Sequence, residues 1–201
     1  MLLIGVGANG FLNKAVDCIE QDDFDNLLNK AQKGDNASFE KLMNCFMKII
    51  YNYILVHVSN KEDAKDILQE TMLGSWQGLK SYNGQSVFKT WLIGITRRKI
   101  ADYYRRIYKT KEHEFEDIDD FGEYEYLLNE NESTDILSKI DVKNAVDTLS
   151  LADKELVYLI FNAQLSYSEI ETITKIPIGT VKSRMFSIKS KLKNQLKEGV
   201  K

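Results

Sequence analysis

The chain is poor in the residues that break helices or hold metals. It has one proline, Pro177, two cysteines and two histidines in 201 residues. So little proline leaves long helices unobstructed. No convincing run of alternating β-branched residues argues for strands, so the expected fold class is all-α. Cys18 and Cys45 lie far apart with no CxxC pair, which argues against a disulfide framework or a zinc site. His57 and His113 stand alone and are assigned no role. No apolar run approaches the roughly 20 residues that span a bilayer. The apolar opening MLLIGVG has no Lys or Arg before it, as a signal peptide would. Export is therefore not expected, and a reducing cytoplasm is the expected location.

The opening does contain GVGANG at 5–10, which fits GxGxxG. A dinucleotide fingerprint needs a strand before the first glycine and a βαβ unit around it. Only four residues precede Gly5, and no second strand follows. Residues 1–20 are read as a flexible N-terminal extension, and no cofactor, metal or catalytic residue is assigned.

What the chain does have is patterned charge. Its net charge of −3 hides four blocks. Residues 1–35 carry 3 basic and 6 acidic groups, and residues 36–108 carry 11 and 6. Residues 109–135 carry 2 and 11, and residues 136–201 carry 11 and 7. Two basic modules flanking an acidic spacer suit a protein that meets an anion at two places. The domains are accordingly set at 21–108 and 136–201, joined by an acidic linker at 109–135.

Helix signals fill both modules. A first helix is expected over about Asp22–Lys33, closed by Gly34. A second covers about Ala37–His57, with Phe39, Leu42, Met43, Phe46, Ile49, Ile50, Tyr53 and Ile54 on one face. Asn60 caps a third, and Asn83-Gly84 in SYNGQS marks a turn before a long fourth helix over about Val87–Tyr108. Past the linker a helix is expected over about Thr134–Leu149. Ser150 and Ser166, each with an acidic residue three positions on, open two more. A last helix follows Pro177, from about Thr180 to beyond Leu196.

The C-terminal stretch LSYSEIETITKIPIGTVKSRMFSIKSKL has the layout of a helix-turn-helix. Tyr167, Ile170 and Ile173 form the apolar side of the first helix, and Val181, Met185 and Ile188 that of the second. This leaves Thr180, Lys182, Ser183, Arg184 and Ser187 near the exposed N-terminal half, the part that enters a major groove. Arg and Lys suit guanine edges or phosphates, and Ser suits either. Lys189, Lys191, Lys193 and Lys197 could meet the backbone, making binding salt-dependent.

This stretch resembles region 4 of bacterial sigma factors, particularly the extracytoplasmic-function (ECF) group, whose region 4 reads the minus-thirty-five element. Two departures stand out. Lys175 occupies a turn position usually held by Gly, and Phe186 and Ser187 occupy positions often basic or His. A second match lies upstream. NKEDAKDILQETMLGSWQGLKSYNGQSVFKTWLIGITRRKIADYYRR resembles sigma region 2. The resemblance covers about Asp22 to Lys197.

That resemblance implies the partners and the site residues. Asp66, Gln69 and Glu70, polar at near-helical spacing, would bind the β′ clamp helices of core RNA polymerase. Tyr82, Asn83, Lys89, Trp91, Arg97, Arg98, Lys99, Arg105 and Arg106 would hold the melted minus-ten strand, cations on phosphates and aromatic faces on unstacked bases. Asn83 is the candidate base reader, whereas Trp91 fits one buried helix face with Phe88, Leu92 and Ile95. Thr180, Lys182, Ser183, Arg184, Ser187 and Lys189 would meet the minus-thirty-five duplex near the β flap. The linker would thread a channel that normally holds RNA. An anti-sigma factor, often membrane-bound, is the implied inhibitor, and no small-molecule substrate is expected. Two rival readings are a transcriptional regulator that binds duplex operators without polymerase and, more distantly, an enzyme using GVGANG.

Overall fold

The computed structural model describes residues 20–111 and 143–198. The GVGANG motif, Cys18, His113 and the linker from residue 112 onward lie outside the described residues. So do the first nine residues, 134–142, of the helix expected at Thr134. All regular structure among the described residues is helical. The elements are α1 (Gln21–Gln32), α2 (Asn36–His57), α3 (Lys61–Gly78), α4 (Phe88–Lys111), α5 (Leu151–Val157), α6 (Tyr167–Thr174) and α7 (Ile178–Glu198). A 3₁₀ turn at Leu79–Ser81 and a π turn at Tyr158–Asn162 extend α3 and α5.

Caps set the helix starts. The Asp35 carboxylate accepts from Ser38 N at 3.2 Å, and the Asn60 side chain accepts from Glu62 N and Asp63 N. The Ser150 hydroxyl accepts from Asp153 N. Ser166 and Glu169 form a reciprocal capping box on α6. Each such cap satisfies backbone N–H groups that a helix start leaves unpaired. Gly34 ends α1 with φ of 97°, a left-handed value open to glycine. α4 runs through Lys111, three residues into the stretch assigned to the linker, because YKTK contains no breaker.

Helices α1–α4 pack as one bundle. Leu42, Met43, Phe46, Ile50, Tyr53 and Ile54 of α2 are buried, as the periodicity predicts. Phe39 and Ile49, expected on the same face, are only partly buried at its edge. Phe39 instead packs against Trp76 of α3, ring centres 4.9 Å apart. α3 and α4 approach closely at Gly74, where a Cβ would lie 3.3 Å from Lys99 Cε. The second module stacks α5 and α6 on α7 around Leu156, Leu159, Ile170, Val181, Met185 and Ile188.

The two modules also touch. α5 packs on α2, and α6 packs on α4. The buried apolar side chains form one continuous cluster from Phe24 to Ile188.

Candidate nucleic-acid interface

The loop between α3 and α4 is anchored from below. Gln32 Nε2 donates to Leu79 O at 3.1 Å and to Tyr82 O at 2.7 Å. Tyr82, Phe88 and Trp91 stack on one another with ring centres 5.1–5.3 Å apart. The Tyr82 hydroxyl donates to Ser86 O at 2.7 Å, and partial burial raises its pKa to about 12. Trp91 is half-buried, less enclosed than Phe88 and Leu92. Gly84 takes φ of 74° at the turn expected there. Asn83 is exposed at the tip, its side chain accepting from Gln85 N at 3.2 Å. An aromatic shelf beneath an exposed amide is therefore a rigid feature, suited to receiving an unstacked base.

The cations of α4 divide by environment. Arg98, Arg105 and Arg106 are exposed. Arg105 pairs with Asp102 at 2.7 Å on the same helix, a solvent-screened contact. Arg106 Nη1 reaches Glu70 of α3 at 2.7 Å, and Lys99 lies 3.9 Å from the same carboxylate. The pKa of Arg106 is raised by that hydrogen bond and charge. Glu70 thus joins the polar patch of α3 to the basic face of α4. Asp66 and Gln69 are exposed beside it, with Leu73, 58% exposed, one turn on.

Two of the expected cations contact the other module: Lys89 is shut off from solvent, whereas the Arg97 side chain stays 42% exposed. Lys89 is 1% exposed, with no hydrogen-bond partner for its Nζ among the described residues. Burial lowers its pKa to about 8, and the nearby Glu169 charge opposes that only in part. Arg97 Nε donates to Glu155 Oε1 of α5 at 3.2 Å. In this arrangement Lys89 lacks the open approach expected of it, and Arg97 is tied to α5 while still partly open to solvent. Helix periodicity could not foresee either meeting with the second module.

Glu155 is the centre of this seam. Its Oε1 also accepts from the Tyr53 hydroxyl at 2.6 Å. His57 Nε2 lies 3.7 Å away. Burial lowers the pKa of His57 more than the Glu155 charge raises it. His57 is therefore neutral near pH 7, and its approach to Glu155 is not an ion pair. Burial pushes the Tyr53 phenol well up, so it donates as a neutral hydroxyl. Thr90 Oγ1 donates to Glu169 Oε1 at 2.7 Å, and Tyr158 donates to Ile49 O at 2.6 Å. Sequence reasoning missed Tyr53, His57, Thr90, Glu155 and Glu169 as a group. The available signal was a carboxylate inside an apolar run, KELVYLI.

The helix-turn-helix of α6 and α7 has the expected buried stripe and an exposed polar face. Thr180, Lys182, Ser183, Ser187 and Lys189 are exposed. Arg184 is half-buried and forks onto Asp153 Oδ1 at 2.6 and 3.2 Å, tying α7 to α5. Lys175 takes φ of 63° at the turn, and the Glu171 carboxylate accepts from Ile178 N to close it. Phe186, 79% exposed, puts an apolar ring on the polar face.

Comparison with known proteins agrees with this geometry. The family model for sigma-70 region 2 matches residues 41–110, which span α2 to α4. The chain is 25% identical over 177 residues to an ECF RNA polymerase sigma-E factor of Haemophilus influenzae, covering 85% of this chain and 93% of that one. It is 26% identical to the ECF sigma factor SigW of Bacillus subtilis, covering 85% and 95%. The fold matches the sigma factor RpoE of Bartonella quintana, solved with the anti-sigma factor NepR, at a TM-score of 0.60. That match has 24% identity and covers 79% of this chain and 96% of that one. It also matches CnrH, solved with the cytosolic domain of CnrY, at 0.61, with 19% identity and 88% and 99% coverage. The region 2 match over α2 to α4, and relatives aligned over 85% of this chain and 93–95% of their own length, make the chain similar to the ECF RNA polymerase sigma factors.

Proposed function

We propose that this chain is an alternative sigma factor that joins core RNA polymerase in the cytoplasm and directs it to a particular set of promoters. The observation that carries this is extent: relatives named ECF sigma factors align over 85% of the chain, through both modules and the linker. A duplex-binding regulator would need only the helix-turn-helix. The nucleotidyl transfer belongs to the polymerase, and the chain contributes recognition.

Asp66, Gln69 and Glu70 form the surface for the β′ clamp helices. Asp66 and Gln69 are exposed beside Leu73, with Glu70 half-buried next to them, and an apolar centre with a polar rim is the usual anatomy of a protein contact. Asn83 at the tip of the aromatic shelf reads a minus-ten base, while Arg98, Arg105 and Arg106 hold phosphates. Trp91 joins them within the aromatic shelf and Lys99 beside Glu70, while Lys89 and Arg97 join once the second module moves away. Thr180, Lys182, Ser183, Ser187 and Lys189 meet the minus-thirty-five duplex, and the second module rests near the β flap. Arg184 contributes there by holding α7 on α5. The solved relatives bound to anti-sigma factors make such a factor the expected inhibitor.

The energetics explain why polymerase is needed. Opening costs a mean of about 1.4 kcal/mol per stacked step, and each captured base returns about 1–3 kcal/mol. One or two captured bases offset only part of several broken steps. The test is run-off transcription with purified sigma-free core on fragments of the source genome. Discrete start sites on adding the chain are expected. A folded, inhibitor-free sample that neither binds core nor starts transcription would overturn the reading in favour of the duplex-binding regulator.

A further inference from the structure

The loop that carries Asn83 is held by a helix outside the region 2 match. α1 (Gln21–Gln32) precedes the matched residues 41–110. Its end is fixed twice. Gly34 N donates to Ala31 O at 2.9 Å, and Asp35 N donates to Lys30 O at 3.1 Å. These are the paired bonds of a Schellman motif, which stops a helix at a defined residue. Buried Phe24 packs edge-on against Phe46 and Phe88, ring centres 6.4 and 5.6 Å away. Phe88 is also part of the aromatic shelf. α1 is therefore in fixed register with the shelf, and Gln32 of its last turn meets the loop. There Nε2 donates to Leu79 O at 3.1 Å and to Tyr82 O at 2.7 Å, across 47 and 50 residues of chain. The second bond bears on Asn83. Tyr82 O belongs to the planar peptide group that Asn83 N completes, so Gln32 fixes the plane from which the Asn83 side chain departs. The Asn83 amide oxygen in turn accepts from Gln85 N at 3.2 Å, which leaves its NH2 group as the donor for a base.

We propose that Gln32 is a positioning residue for promoter recognition: by holding the Tyr82–Asn83 peptide, it aims the Asn83 amide at one base of the minus-ten strand. This deepens the sigma reading and rests on it. Gln32 acts from beneath the loop and through Asn83, without touching DNA itself. The other bonds of the loop do not do this work. Tyr82 to Ser86 O and Gln85 to Asn83 both close the loop on itself. Ring packing on the shelf fixes where Tyr82 sits, whereas a directed bond fixes how its peptide is turned. Gly84, with φ of 74°, gives the tip freedom that such a bond must restrain. A hydrogen bond to a base edge weakens steeply when misaligned, so turning that peptide blunts the choice among bases.

The test uses the full chain with sigma-free core on a promoter found by run-off transcription. Variants of that promoter carry each base in turn across the minus-ten and minus-thirty-five elements. Wild type is compared with N83A, Q32M, Q32E and the double variant N83A/Q32M. Met keeps the length of Gln without its donors, and Glu keeps its shape but only accepts. Circular dichroism checks the fold, and Q32E carries the comparison if Q32M does not fold. Base preference is the ratio of initiation rates between the best base and the others at each position. N83A is expected to erase preference at one minus-ten position. Q32M and Q32E should each cut preference at that same position about five- to tenfold, as the loss of two ordinary hydrogen bonds implies. Preference in the minus-thirty-five element should stay as in the wild type. Adding Q32M to N83A should change preference no further, the mark of two residues acting as a unit. Amide exchange over residues 79–87 should quicken in Q32M while α2 and α4 stay protected. A loosened loop with base preference intact would make Gln32 a staple and overturn the proposal. So would an equal fall in rate for every base, or an additive effect in the double variant. A wild type that starts no transcription sinks the sigma reading, and this proposal with it. An active wild type whose preference survives N83A sinks the Asn83 assignment and, with it, the role of Gln32. Preference lost in N83A but kept in Q32M and Q32E sinks this proposal alone.

Discussion

Single side chains in this protein are set against their ordinary chemistry by burial. Lys89 is the clearest. Its pKa of about 8 in the folded chain lies below the ordinary 10.5, so the unfolded chain binds more protons between those values. Its burial penalty is therefore full below about pH 8 and fades as the pH climbs toward 10.5. Replacing it by an apolar side chain of similar length removes that penalty. K89M is expected to stabilise the chain by about 1–3 kcal/mol at pH 7, by urea unfolding, with the gain shrinking at pH 10. His57 works from the other side of neutrality. Its pKa is lowered below 6.5, chiefly by burial, among Tyr53, Arg97 and Glu155. The stability tied to its neutral form is present above pH 6.5 and is lost as the pH falls through its folded pKa. Unfolding midpoints should drop on acidification below pH 6.5, and H57F should flatten that drop. An equal drop in H57F would assign it to other groups.

At the scale of the element, the helix-turn-helix is held by its caps and carries one strained residue. Ser166 and Glu169 satisfy the start of α6 reciprocally. S166A is expected to cost about 1 kcal/mol, measured by thermal unfolding. Lys175 sits in the left-handed region, where a Cβ crowds the backbone and glycine does not. K175G should therefore raise the melting temperature, by about 2–4 °C for each kcal/mol relieved in a chain of this size. A fall would mean that the lost chain stiffness outweighs the relief of strain. Both elements were legible beforehand, because caps, turn residues and the 3.6-residue stripe are local signals. The π turn at Tyr158–Asn162 was not, since no local pattern distinguishes it from ordinary helix.

The whole molecule combines a net charge of −3 with two basic modules and a closed seam. The free chain should accordingly bind promoter DNA weakly, with Kd no tighter than the micromolar range typical of non-specific binding at physiological salt. Fluorescence anisotropy with promoter fragments, with and without core, measures this. Nanomolar sequence-specific binding by the chain alone would contradict the proposed division of labour with polymerase.

The sequence by itself determined the helices, their caps, the buried stripes of α2 and α7 and the exposed cations at Arg98, Arg105 and Lys182. Each follows from neighbours within one or two turns, where spacing alone sets which side chains share a face. It also carried the two motif blocks that resemble sigma regions 2 and 4. Only the tertiary structure decided that Lys89 and Arg97 lie against the second module and that Glu155 stands at its centre. Tyr53 and Glu155 are 102 residues apart, and Thr90 and Glu169 are 79 apart. No local periodicity reports such a meeting. It arises because two modules bury surface against each other, and the polar groups caught between them must find partners where they land.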